Sequence, residues 1–189
     1  MTRNLILYLT AGMVITIYMG INFCNGQIIT KQLEITKQMT MTRTGLGSVA
    51  ISVDGFGFLS INWGDGKENE THTLAYYYTD STSHTITITC ENIISLDCGN
   101  NQLTSLDVGK NMMLTDLDCS DNQLTNLEVS KNTALTYLDC ANNQLSSSLF
   151  QSLHSRDDMK EKRIDIYGNP GAKTTERNIA EYKGWTVNW

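Results

Sequence analysis

Apolar residues recur with a period of 21 residues in the second half of the chain. Two phases of this repeat are occupied by leucine, the first by Leu96, Leu117 and Leu138 and the second by Leu103, Leu124 and Leu145. A cysteine follows each leucine of the first set two positions later, so both side chains point to one face of a short strand. A single unit cannot bury that face, whereas stacked units can. The pattern therefore predicts stacked, parallel strands from Ile93 onward.

Each unit fits the pattern L-x-x-L-x-(L/C)-x-x-N-x-L, with cysteine in the third leucine position. These cysteines are Cys98, Cys119 and Cys140. The asparagine that recurs at one position of each unit is Asn101, Asn122, Asn143 and, in a modified last unit, Asn169. An Asn amide donates and accepts, so stacked Asn residues are expected to satisfy backbone groups of neighbouring units. We expect the cysteines to pack in the core as small apolar side chains; a disulfide within the ladder and a metal site stay open, as does the state of Cys90.

These units resemble the 21-residue, cysteine-containing leucine-rich repeats of bacterial surface proteins of the internalin J type. The resemblance covers roughly Ile93 to Leu145. It implies a ladder of mostly free thiols and a role in surface attachment or ligand binding.

The carboxyl region repeats the spacing of the units after an insertion. Ile164 and Asn169 stand in the phases of Leu138 and Asn143. The insertion predicts a short helix with Ser148 as its N-cap, and residues 175–183 predict a second helix before a last strand. Because the open end of stacked repeats exposes the core, we interpret this region as a modified C-terminal cap.

Residues 27–92 show a different pattern, in which β-branched residues alternate with polar ones. This alternation predicts four or five strands and a small β-sandwich, with a hairpin turn at Gly64 to Gly66. The sequence INWGDGKE, followed by AYYYTDSTSHTITIT, resembles a polycystic-kidney-disease-type immunoglobulin-like domain over roughly Thr40 to Glu91. Asn62 replaces the usual Asp of that family, and the segment Tyr76 to Tyr78 also departs from it. The resemblance implies a spacer or cap, and weakens any inherited ligand site.

The predicted fold class is mostly β with short helices, organised as an N-terminal small β-sandwich followed by a short leucine-rich-repeat solenoid with a modified C-terminal cap. Residues 1–26 are predicted as a signal peptide, because Arg3 precedes a long uncharged apolar run. Cleavage after Gly26 is the first interpretation; lipid attachment at Cys24 and an uncleaved membrane anchor are the alternatives. Each places residues 27–92 and 93–189 outside the cytoplasm, in a secreted or cell-surface protein.

Charge and motif content argue against several functional classes. The formal net charge is −6, and no cluster of Lys and Arg predicts nucleic-acid binding. His72, His84 and His154 lie in separate contexts without zinc spacing, and no Ser-His-Asp set or phosphate loop is present in the sequence. We therefore predict no enzymatic activity, no cofactor and no metal site.

The outward strand positions are the candidate binding residues. They form a predicted concave face whose members are Asp97, Asp116, Asp118, Tyr137, Asp139, Asp165 and Tyr167. Aspartates stacked about 4.8 Å apart should titrate above the usual Asp range or hold a loosely bound cation. We predict a non-enzymatic binding or adhesion module with a protein or glycan ligand. The alternatives are a solvated strand face and, for the whole protein, a structural stalk or assembly unit.

Overall fold

The computed structural model describes residues 21–24, 27–30, 37–66, 74–155 and 161–188. The chain divides into two compact units, Met1–Ile35 and Thr36–Trp189. In the first unit, β1 (Ile21–Cys24) pairs antiparallel with β2 (Gln27–Thr30). Apart from β1, the predicted signal peptide lies outside the described residues.

The second unit begins with antiparallel strands. They are β3 (Lys37–Thr44), β4 (Gly47–Ala50), β5 (Ser52–Asn62), β6 (Ala75–Tyr78) and β7 (Ser83–Asp97). Strands β3 and β5 flank β7, while β4 and β6 pair in a separate two-stranded sheet. The alternation seen in the sequence explains these strands, because every second side chain is buried along β3 and the first half of β7.

The repeat region contributes one antiparallel strand and four strands that stack in parallel. The antiparallel strand is β8 (Leu103–Asp107), which pairs with β3. The parallel strands are β9 (Asp116–Asp118), β10 (Tyr137–Asp139), β11 (Lys162–Asp165) and β12 (Trp185–Asn188). The end of β7 and then β9, β10, β11 and β12 pair in parallel in that order. The register aligns Leu96, Leu117, Leu138 and Ile164. The parallel pairing predicted from the 21-residue spacing is thus confirmed, including across the longer insertion before β11.

Strand β7 runs without interruption through the predicted domain boundary between residues 92 and 93. Its first part pairs with β3, and its last three residues pair in parallel with β9. Strand β3 also pairs with β8 of the first repeat. Buried residues from both sides of the boundary therefore belong to one hydrophobic core.

Two short helices lie in the carboxyl region, α1 (Ser148–Ser152) and α2 (Thr174–Tyr182). The structure corrects the predicted N-cap of the first helix, because Ser148 is its first residue and Ser147 is the cap, without a side-chain hydrogen bond. Behind α2, the chain turns at Gly184 with φ of 84° and enters β12, whose Trp185 is buried. Of the residues that the structure describes, none belongs to a helix with the length and hydrophobicity of a membrane span.

Candidate functional site

The three ladder cysteines point into the core. Cys98, Cys119 and Cys140 are fully buried and carry free thiols, as does the buried Cys90. The Sγ atoms of Cys98 and Cys140 donate to backbone carbonyls of the following unit, each at 3.3 Å. Burial raises the pKa of all three ladder thiols well above the ordinary value. Because the thiolate is the reactive form, these three thiols are expected to be unreactive while the protein is folded.

The asparagine ladder connects each unit to the one before it. The Asn122 Oδ1 atom accepts from the Asn101 backbone N–H at 3.1 Å, and its Nδ2 atom donates to the Cys98 carbonyl at 3.0 Å. The same arrangement, with Oδ1 accepting from the preceding unit and Nδ2 donating to its carbonyl, recurs at Asn143 and Asn169. The amides thereby satisfy backbone groups that the turns leave unpaired.

A second column of turn residues was not predicted from the sequence. Its members, Asn100, Asp121, Asn142 and Gly168, have φ values of 55°, 52°, 52° and 73°. The available signal was the recurrence of Asn, Asp and Gly at one phase, since these residue types tolerate the left-handed conformation best. The Nδ2 atom of Asn142 donates to Asp121 Oδ1 and to Tyr167 Oη, each at 2.8 Å, so this column fixes Tyr167 at one side of the sheet.

The outward side of the parallel strands carries the predicted aspartate column. Asp97, Asp118, Asp139 and Asp165 stand in consecutive register, and we call their side of the sheet, with Asp116, Tyr137 and Tyr167, the aspartate face. Exposure decreases along the column, from the exposed Asp97 to Asp165, which is only 8% exposed. The structure thus brings the predicted aspartates and Tyr137 together on one sheet, and Tyr167 lies in the turn after β11.

Three aspartates of the column also shape the turn that follows each strand. The Oδ1 atoms of Asp97, Asp118 and Asp139 accept from the backbone N–H two residues later, at 3.0, 2.9 and 3.0 Å. This local bond restrains the orientation of each carboxylate. The sequence pattern gave no indication of this second role.

At the β11 end of the face, the Arg163 side chain contacts both an aspartate of the column and Tyr137. The Arg163 Nη2 atom lies 3.0 Å from Asp165 Oδ2 and offsets the charge of that buried carboxylate. The guanidinium carbon lies 5.7 Å from the centroid of the Tyr137 ring, within the range of a cation–π contact. Tyr167 is half exposed on the other side of the column.

Burial and like charges shift two titrations at the centre of the face. Burial raises the pKa of Asp139; the hydrogen bond from Ala141 opposes this, while the charges of Asp118 and Asp165 add to it. Burial also raises the pKa of Tyr137, with the nearby aspartates adding to the effect. Burial is thus the main cause of the raised pKa of Asp139, and the neighbouring aspartate charges add to it.

The Leucine Rich Repeat family model matches residues 134–155, a segment that contains β10, Asn143 and α1. No curated protein and no solved structure shows significant similarity to the chain. The match supports a leucine-rich repeat, and that motif in general indicates a protein-binding module. Across the described ranges, no group of three or more His, Cys, Asp or Glu side chains has an arrangement that could hold a metal ion.

Proposed function

We propose that this protein is a non-enzymatic, secreted or cell-surface binding module that presents the aspartate face, as a concave surface, to a protein or glycan ligand. The observation that carries the proposal is the register that aligns Asp118 with Asp139 and sets Asp116 beside Tyr137. Side chains fixed on paired strands and by turn hydrogen bonds lose little freedom on binding, which favours recognition. The leucine-rich-repeat match supports a protein as the partner.

The finer architecture that we propose is a short solenoid of cysteine-ladder repeats of the internalin J type. Support comes from the buried thiols of Cys98, Cys119 and Cys140 and from the asparagine ladder beside them. For the preceding strands we propose a small sandwich of the polycystic-kidney-disease type. Its support is that these strands form two sheets, one with β3, β5 and β7 and one with β4 and β6. The buried Trp63, directly before the Gly-Asp-Gly sequence, also supports it.

Export from the cytoplasm is the proposed route to the cell surface. Its support is the sequence of residues 1–26, with Arg3 ahead of an apolar run. Mass spectrometry of the protein recovered from cells and from culture medium tests this: a mature amino terminus at Gln27 is expected for the cleaved form. An unprocessed chain recovered inside the cell would contradict export.

A screen of the purified protein against arrays of proteins and glycans tests the binding function. A ligand found in this way should lose binding to the double variant Asp118→Ala/Tyr137→Ala, whose melting curve should stay near that of the unchanged protein. If binding survives that change, the aspartate face is a solvated surface, and a structural stalk or assembly unit becomes the better interpretation.

A further inference from the structure

The aspartate face carries more carboxylates than the return segments, which hold Asp107 and Glu128 together with the lysines. The aspartate face and its rim carry the carboxylates of Asp97, Asp116, Asp118, Asp121, Asp139 and Asp165. The lysines of the same units, Lys110 and Lys131, lie at exposed turns after the return segments. Among the described residues, the ion pair between Arg163 and Asp165 is the one that lies on this face. Most of its negative charge is therefore available to a partner.

Arg163 shows how this face holds a guanidinium group. Its planar head lies over the Tyr137 ring at 5.7 Å and pairs with the Asp165 carboxylate at 3.0 Å. An aromatic ring beside a carboxylate is the combination that suits arginine, because the guanidinium stacks and forms directed hydrogen bonds. Arg163 thus shows that a tyrosine and a carboxylate of this face can hold a guanidinium group.

The neighbouring register position offers the same components without an arginine. In the outer column, Tyr137 on β10 has Asp116 of β9 on one side and Arg163 of β11 on the other. Asp118 and Asp139 lie beside them in the central column. A second guanidinium, supplied from outside, would meet the carboxylates of Asp118 and Asp139 and the Tyr137 ring beside them.

From this geometry we infer that the aspartate face binds an extended, arginine-containing segment of a partner protein, with a guanidinium group seated between Asp118, Asp139 and Tyr137. The inference rests on the proposed function and specifies its partner. A neutral glycan would leave the carboxylates uncompensated, and nucleic acid would be repelled by them. Lysine can meet the charge but lacks the planar head that stacks on tyrosine.

Blocked peptides of alternating serine and arginine provide the probe, with lysine and citrulline versions as matched comparisons. Citrulline keeps the planar shape of arginine and lacks its charge. Binding of the fluorescent peptides to the full-length protein is measured by anisotropy at low salt and at about 0.15 M salt. We expect the arginine peptide to bind most tightly, the lysine peptide less tightly and the citrulline peptide least.

The test variant is Asp118→Asn/Asp139→Asn, in which each amide oxygen can still accept the turn hydrogen bond. Its control is Asp107→Asn/Glu128→Gln, which removes the same charge from the return segments. Asp107 and Glu128 accept comparable turn bonds from Gly109 and Ser130, at 2.9 and 2.8 Å. The test variant should weaken arginine-peptide binding about fivefold or more, and the control should change it less than about twofold.

Tyr137→Leu provides a second variant, which keeps an apolar side chain and removes the ring. It should reduce the preference for arginine over lysine while both peptides still bind. Equal weakening in the test and control pairs would overturn the inference, because only net charge would then matter. If a ligand from the array screen needs the face but the arginine peptide fails to bind or displace it, the inference falls while the proposed function stands.

Discussion

The Asn101 side chain holds the Ala50 backbone by two hydrogen bonds: its Oδ1 atom accepts from Ala50 N at 2.9 Å, and its Nδ2 atom donates to Ala50 O at 2.7 Å. In later units the same amide position binds the preceding repeat. Asn101 belongs to the first repeat and uses those groups to hold the end of β4 instead. The ladder amide thus joins the antiparallel strands to the repeats.

Replacing Asn101 should destabilise the whole second unit. Asn101→Ala leaves both backbone groups of Ala50 without these partners, and we expect a loss of about 1–3 kcal/mol in the free energy of unfolding. Urea denaturation measures this loss. Asn126→Ala, at an exposed position, is the control and should change stability by less than about 0.5 kcal/mol. Equal effects of the two substitutions would show that the Asn101–Ala50 contact contributes no stability.

The ladder thiols should be protected from reagents in the native protein. Because burial raises their pKa, Cys98, Cys119 and Cys140 are expected to react with a thiol reagent only after denaturation. Cys119→Ser should lower the free energy of unfolding by about 1–3 kcal/mol, since it buries a hydroxyl in a site built for a thiol. Detection of a disulfide within the ladder by mass spectrometry would contradict this prediction.

Two glycines with nearly equal positive φ allow the cost of a left-handed backbone to be separated from the cost of a side-chain clash. Gly168 and Gly66 have φ values of 73° and 74°. A Cβ atom at Gly168 would lie 2.2 Å from Asn142 Oδ1, whereas one at Gly66 would meet no atom of the described residues within 4 Å. Gly66→Ala should cost about 1 kcal/mol for the left-handed backbone alone. Gly168→Ala should cost more in thermal or urea unfolding, because it also displaces the Asn142 amide; equal costs would refute the crowding argument.

The raised pKa of Asp139 predicts a specific dependence of stability on pH. The folded state binds the Asp139 proton more tightly than the unfolded chain, whose Asp pKa is near 3.8. The contribution of Asp139 to the free energy of unfolding is therefore fully present below the unfolded-state pKa. It is lost as pH rises through the higher folded-state pKa. Asp139→Asn, which keeps an acceptor for Ala141, should be more stable than the unchanged protein at neutral pH.

Urea unfolding at a series of pH values measures the difference between the two proteins. The advantage of Asp139→Asn should shrink as pH falls toward 3.8, where Asp139 of the unchanged protein becomes protonated in both states. The control, Asp107→Asn, removes an exposed carboxylate from the return side. An advantage of Asp139→Asn that does not vary with pH would contradict the assignment of this effect to the Asp139 titration.

The sequence by itself determined which residues stack in register in the repeat units. A strand alternates its side chains, and units of equal length stack in phase, so the positions of Leu117, Cys119 and Asn122 within one unit fixed those of their counterparts. The same reasoning placed Asp118 beside Asp139 on the opposite side of the strand. These features depend on local spacing, which a single sequence contains.

Tertiary structure alone decided the contacts that do not follow from the 21-residue repeat. Asn101 meets Ala50 across 51 residues, and no local pattern specifies which distant backbone fills the place of a missing repeat. The phase of Ile164 predicts Arg163 beside Tyr137, but only the folded structure shows that the guanidinium lies over the Tyr137 ring and pairs with Asp165. Strand β7 crosses the predicted boundary because both of its edges find partners on either side of residue 92. Such pairings depend on how separate segments compete for the same edges and buried space, which becomes defined only when the chain is folded.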